Sequence, residues 1–143
     1  MIDRSLSASF AQRFAAIDHD NLHILEQIYH SDVHFSDPIH DVFGLAALQG
    51  YCANLYENVS ALHFDFTQLS PIDDEQALLC WTMTYRHPRL AGGRPIQVPG
   101  VSQVWFREGK AYRHIDHYDA GTLLYEHVPV LGTLIRWLKR RMT

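Results

Sequence analysis

Apolar residues recur at helical spacing through the first part of this chain and at every second position through most of the rest. Leu6, Phe10, Phe14 and Ile17 predict an amphipathic helix over residues 5–18. Asp18-His19-Asp20-Asn21 interrupts it, and a second helix turns Leu22, Leu25, Ile28 and Tyr29 inward. Val33-His34-Phe35 reads as a short strand that stops at Asp37-Pro38, because proline cannot donate to a ladder and restrains the residue before it. After Gly44, residues Leu45, Leu48, Tyr51, Cys52, Leu55 and Tyr56 mark a third helix. The period then changes to two. Strands are expected over 62–66, 77–85, 96–106 and 112–118, separated by Pro- and Gly-bearing turns that suit antiparallel hairpins. Residues 122–127 read as a turn of helix, and a last helix starts at Pro129. It sets Leu131, Leu134, Ile135, Leu138 and Met142 on one side and Arg136, Lys139 and Arg140 on the other.

Helices first and hairpins after define an α+β domain, with N-terminal helices packed on the concave face of a cone-shaped, curved antiparallel sheet. Residues 1–125 would form this domain, and residues 126–143 a basic amphipathic helix appended to it. A chain of 143 residues has room for one core.

Charge narrows the partners. The net charge of −4 argues against nucleic acid, which is bound through clustered cations. Arg136, Lys139, Arg140 and Arg141 crowd the end of the chain and leave the remainder acidic. The simpler expectation is that the last helix packs its apolar stripe on its own domain; lying on an anionic membrane is the less favoured alternative. With no apolar leader after Met1 and no apolar run long enough to span a bilayer, a cytoplasmic location is expected. Cys52 and Cys80 read as reduced thiols. The ten histidines include the i, i+4 pairs His19/His23 and His30/His34, but one straddles a helix break and the other runs into a strand. Neither a metal nor a cofactor is expected.

The candidate chemistry lies on the last strand. Its alternation puts Tyr112, His114, Asp116 and Tyr118 on one face, two aromatics flanking an imidazole and a carboxylate, as in the wall of a ligand pocket. Asp37 sits at a strand end and offers a second carboxylate. Trp81, Met83 and Tyr85 alternate on one face of the second long strand, and Phe14, Tyr51, Phe64 and Ser102 complete the expected lining. Asp116 and Asp37 are the candidate acid–base groups, with His114 as partner of Asp116. Trp105 would face outward, where a second subunit could cover it, so a homodimer through the outer sheet face is expected.

The segment from Ile28 to Pro38 before a Gly-led helix, with Gly109 to Asp119 at the end of the sheet, resembles the nuclear transport factor 2-like superfamily. This superfamily includes the ketosteroid isomerases, the limonene epoxide hydrolases and the SnoaL-like polyketide cyclases, and the resemblance runs to about residue 125. Asp37-Pro38 looks like the isomerases' proton-moving Asp-Pro, while the places of their two oxyanion donors hold Arg13 and Ser102. His114-Ile115-Asp116 is similar to the hydrolases' Trp-x-Asp, with Trp81 and Met83 where their Arg and second Asp would stand. Either Asp116 or Asp119 corresponds to the cyclases' acid–base Asp. The resemblance implies a pocket for a small apolar ligand. An acid–base isomerase, cyclase or hydrolase acting on a carbonyl-type compound is one reading; a non-catalytic ligand-binding or interaction module is the other.

Overall fold

The computed structural model describes residues 4–142. Three helices, α1 (Arg4–Ala15), α2 (Ile24–Ile28) and α3 (Leu45–Asn58), pack on one face of a sheet. Its strands are β1 (Tyr29–Ser36), β2 (Asp41–Phe43), β3 (Ser60–Pro71), β4 (Gln76–Arg86), β5 (Ile96–Arg107) and β6 (Lys110–Tyr118). They lie in the order β2-β1-β6-β5-β4-β3, in one six-stranded sheet that does not close. Two short segments follow, α4 (Ala120–Leu123) and a 3₁₀ turn at Tyr125–His127, before the terminal α5 (Leu131–Arg141).

The expected hairpins are present: β3, β4, β5 and β6 form an antiparallel meander. Glu108 and Gly109 both have positive φ, 55° and 81°, as a two-residue hairpin loop of the favoured twist requires. The sheet is mixed, however, because β1 runs parallel to β6. No turn links these two strands, so packing alone sets their direction.

Alternation places the inner face correctly along most of the sheet. Ala77, Leu79, Trp81, Met83 and Tyr85 of β4 are buried, as are Ile96, Val98, Ser102, Val104 and Phe106 of β5. Two core clusters result, one under α1 to α3 around Leu25, Tyr29, Val33 and Val104, the other around Trp81, Met83, Tyr85 and Val98.

Three local expectations are corrected. The second helix is only five residues long, and Tyr29, expected at its end, opens β1 instead, paired with Ala111. β2 was not expected; a tight turn at Asp37–His40 folds it back on β1. The largest change is at Tyr112. Between the pairs Trp105↔Arg113 and Phe106↔Ala111 the ladder shifts by one, so Tyr112 is an extra residue on β6. A bulge reverses the parity of a strand. Ala111 is therefore buried with His114, while the Tyr112 ring lies under the Arg107 guanidinium, 4.9 Å from its centroid, away from the pocket.

The last helix forms as expected but does not pack its apolar stripe on the domain. Leu131, Leu134, Trp137, Leu138 and Met142 are exposed, because the helix is held through its other side. No helix among the described residues is long and apolar enough to cross a membrane.

Candidate functional site

Between the two core clusters lies a cavity of about 90 Å³. Its walls are mainly apolar, from Phe14, Phe35, Leu48, Phe64, Trp81 and Met83, and its carboxylates are Asp37 and Asp116. Tyr51, Leu55, Met83, Tyr118 and Leu123 are shared with an outer apolar cleft of about 360 Å³, rimmed by Ile39, Leu62, Tyr85 and Leu90. The arrangement is an inner polar-ended chamber behind a wider greasy vestibule, which suits a mostly apolar ligand with one reactive end.

Asp116 is held from behind. Its Oδ1 receives Ser102 Oγ at 2.5 Å and His114 Nε2 at 2.6 Å, while Trp81 Nε1 donates to Ser102 Oγ at 2.8 Å. Nδ1 of His114 meets the Tyr29 hydroxyl at 2.7 Å. This chain threads the core: the His114 side chain is 2% exposed, with Phe35 at 4.9 Å and Phe10 at 5.9 Å between ring centroids. Burial, and then the charge of Asp116, push the Tyr29 phenol well above its usual range, so it stays protonated and can donate to Nδ1. In the tautomer that carries its proton on Nε2, the ring donates to Asp116 and accepts from Tyr29. Both donors land on Oδ1, so Oδ2 is the oxygen on which a cavity molecule can be met.

Asp37 is more heavily committed. Its Oδ1 accepts from the backbone N–H of Ile39 at 2.8 Å and of His40 at 2.7 Å, the side-chain turn that a strand-end Asp before Pro favours. Its Oδ2 accepts from Tyr51 at 3.0 Å, and Tyr118 also hydrogen-bonds to this carboxylate. His40 Nδ1 stands 3.3 Å away. Burial first, and the Asp37 charge second, drive both phenols far above the usual tyrosine range, so each stays a donor to Asp37. Burial also lifts the Cys52 thiol, which lines the cavity, to about 12.

The expected lining thus divides. Phe14, Tyr51, Phe64, Trp81, Met83, Tyr118, Asp37 and Asp116 meet at the chamber. Ser102 and His114 stand behind it, and Tyr85 lies in the outer cleft, where its hydroxyl donates to the Leu123 carbonyl. Tyr112 is outside. Arg13 is exposed, so no oxyanion donor comes from that place on α1; its neighbour Phe14 faces the cavity instead. Asp119 is also outside, capping α4 through Gly121 and Thr122. Of the histidines, His30 bonds to the Arg107 carbonyl, and His34 pairs with Asp41 while stacking on Phe43 at 4.1 Å. Tyr29 was missed as a site residue, although it shares strand parity with Val33 and Phe35 and so belongs on the same inner face.

Comparison with known proteins agrees with this architecture. Residues 10–114 match the SnoaL-like domain, and the chain belongs to that family. TsrD from Streptomyces laurentii superposes with a TM-score of 0.73 at 18% identity, over 86% of this chain and 95% of that one. A candidate SnoaL-like polyketide cyclase from Jannaschia sp. CCS1 gives 0.75 at 11% identity, over 88% and 94%. A protein of ketosteroid isomerase-like fold from Catenulispora acidiphila, solved with trimethylamine, gives 0.73 at 15% identity, over 87% and 93%. These similarities establish a nuclear transport factor 2-like fold. No curated protein matches the sequence.

Proposed function

We propose that this chain is an acid–base enzyme of the isomerase or cyclase kind, acting on a small apolar carbonyl compound, with Asp116 as the group that moves the proton. The observation that supports this best is the asymmetry of the Asp116 carboxylate. Ser102 and His114 pin one oxygen, and the side chain, 11% exposed, ends in an apolar chamber. A carboxylate fixed on one side and desolvated on the other is positioned to take a proton from a carbon next to a carbonyl and to return it elsewhere on the same molecule. Asp37, with its oxygens already engaged, acts as a positioning residue that orients Tyr51 and Tyr118 against the ligand.

The test is exchange of α-protons in D₂O across a panel of cyclic and polycyclic ketones, followed by proton NMR. The protein should accelerate exchange on at least one ketone, and Asp116→Asn should slow it by about 100-fold or more with an unchanged circular dichroism spectrum. Equal exchange by the variant would remove Asp116 from the chemistry.

One observation favours a second reading, a ligand carrier. Trp81, Ser102, His114, Tyr51 and Tyr118 all spend their protons within the protein, so apart from Tyr56 and the Cys52 thiol the chamber offers acceptors. An amine would suit such acceptors and the surrounding rings, and the similar Catenulispora protein was solved with trimethylamine. Tight binding of an alkylammonium probe, with no exchange on any ketone, would select this reading.

A further inference from the structure

The terminal helix α5 is attached to the molecule by its polar side. Gly132 is buried against the Glu126 carbonyl, so closely that an added Cβ would lie 2.3 Å from that oxygen. Arg136 Nη1 donates to the same carbonyl at 2.6 Å. Lys139 Nζ donates to Glu126 Oε1 at 3.1 Å and stands 3.7 Å from Asp119 Oδ2. At about 100° per residue, Gly132, Arg136 and Lys139 occupy one arc. Leu134, Trp137, Leu138 and Arg141 come round on the far side, with Leu131 and Met142 beside them. The apolar side chains of this far side are between 40% and 87% exposed. A helix that uses two of its cations, Arg136 and Lys139, and its one glycine as the docking face, and turns its leucines to solvent, presents a surface for something else to cover.

We propose that α5 lies in the plane of an anionic membrane surface, with Leu131, Leu134, Trp137 and Leu138 at the headgroup–acyl boundary and Arg140 and Arg141 toward lipid phosphates. Charge selects this occupant. Taking Arg136, Lys139, Arg140 and Arg141 out of the net charge of −4 leaves −8, so positive charge is concentrated on the helix, and although Arg136 and Lys139 turn toward Glu126 and Asp119, Arg141 lies on the side away from the domain. A second copy of α5 is a poor match for the first, since residues 131–143 contain no Asp or Glu to meet the partner's arginines. Trp137, with the Arg141 guanidinium 5.2 Å from its ring centroid, has the amphipathic character of interfacial aromatics. An eleven-residue helix is too short to span a bilayer and long enough to lie on one.

The placement has a consequence that rests on the proposed function, although membrane binding itself does not. Leu123 and Leu124 line the outer cleft, and the Tyr125–His127 turn that follows them carries α5. An apolar ligand dissolved in the bilayer would meet the cleft close to where the helix docks.

The experiment is co-sedimentation of the full chain with phosphatidylcholine vesicles, pure or containing one third phosphatidylglycerol, with ketone exchange measured separately. Binding should appear on the anionic vesicles and fall by about tenfold or more on neutral ones, and raised salt should weaken it. Leu134→Glu with Leu138→Glu, and separately Arg140→Glu with Arg141→Glu, should each abolish it while leaving the circular dichroism spectrum and any ketone exchange unchanged, since none of these four side chains lines the chamber. A blue shift of tryptophan emission on binding should disappear in Trp137→Phe. No sedimentation with anionic vesicles, or full retention by the leucine variant, overturns the proposal. So does a lipid-free dimer that the leucine variant converts to monomer, because the apolar face would then belong to a second copy.

Discussion

The Tyr29 hydroxyl and His114 Nδ1 stand 2.7 Å apart although 85 residues separate them in the chain. With the phenol protonated, this contact suits the tautomer that points Nε2–H at Asp116. Replacing Tyr29 by Phe leaves Nδ1 buried without a partner and should cost about 1–3 kcal/mol. Urea denaturation monitored by circular dichroism measures it; a midpoint shift equivalent to only a few tenths would mean that the ring is satisfied some other way.

Gly100 controls the other end of the same network. An added Cβ there would lie 2.3 Å from the Trp81 ring, whose Nε1 holds Ser102. Because the obstacle is a packed indole, Gly100→Ala should destabilise the fold by about 1–3 kcal/mol. It should also pull Trp81 off Ser102 and so lower the activity attributed to Asp116. Thermal melting and tryptophan fluorescence check the two effects, and an unperturbed emission spectrum would contradict the second.

Alkaline pH should expose the buried phenols. Folding raises the pKa of Tyr29, Tyr51, Tyr56 and Tyr118 above the ordinary value of 10.0, chiefly through burial. A group raised on folding contributes stability that is complete below its unfolded pKa and is lost as pH climbs toward the folded one. Stability should therefore hold up to about pH 9 and decline steeply above 10, with these four rings ionising at the unfolding step. Absorbance at the phenolate band against pH shows this directly; smooth ionisation of every tyrosine near pH 10 in the folded state would rule it out.

The outer face of the sheet carries the homodimer expectation. Leu78, Val101, Trp105 and Ile115 are half-buried there, alternating with the buried inner-face residues of the same strands. Trp105→Glu should convert a dimer to a monomer in sedimentation velocity while leaving the Asp116 network intact. A protein that is monomeric before substitution would refute the expectation.

Periodicity alone was enough to assign the inward faces of β4 and β5, and hence Trp81, Met83, Tyr85 and Ser102, because backbone geometry makes neighbouring strand residues point opposite ways. It also placed His114, Asp116 and Tyr118 together, since that half of β6 has no irregularity. Tyr112 escaped the same rule through a bulge, a feature of how two strands pair that neither strand announces alone. Tyr29 escaped because pairing with Ala111, far along the chain, ended its helix. The strand-end position before Pro38 identified Asp37 as a candidate carboxylate, but only the approach of α3 and β6 brought Tyr51 onto its Oδ2 and Tyr118 beside the same carboxylate and made it less available than Asp116. For α5 the sequence by itself determined an amphipathic helix. Which side faced the protein depended on Glu126, Asp119 and the room left by Gly132, and those contacts turned the leucines outward. Local pattern specifies an element and its faces through backbone sterics, whereas the meeting of two faces depends on partners distant in the chain, so only the tertiary structure could decide it.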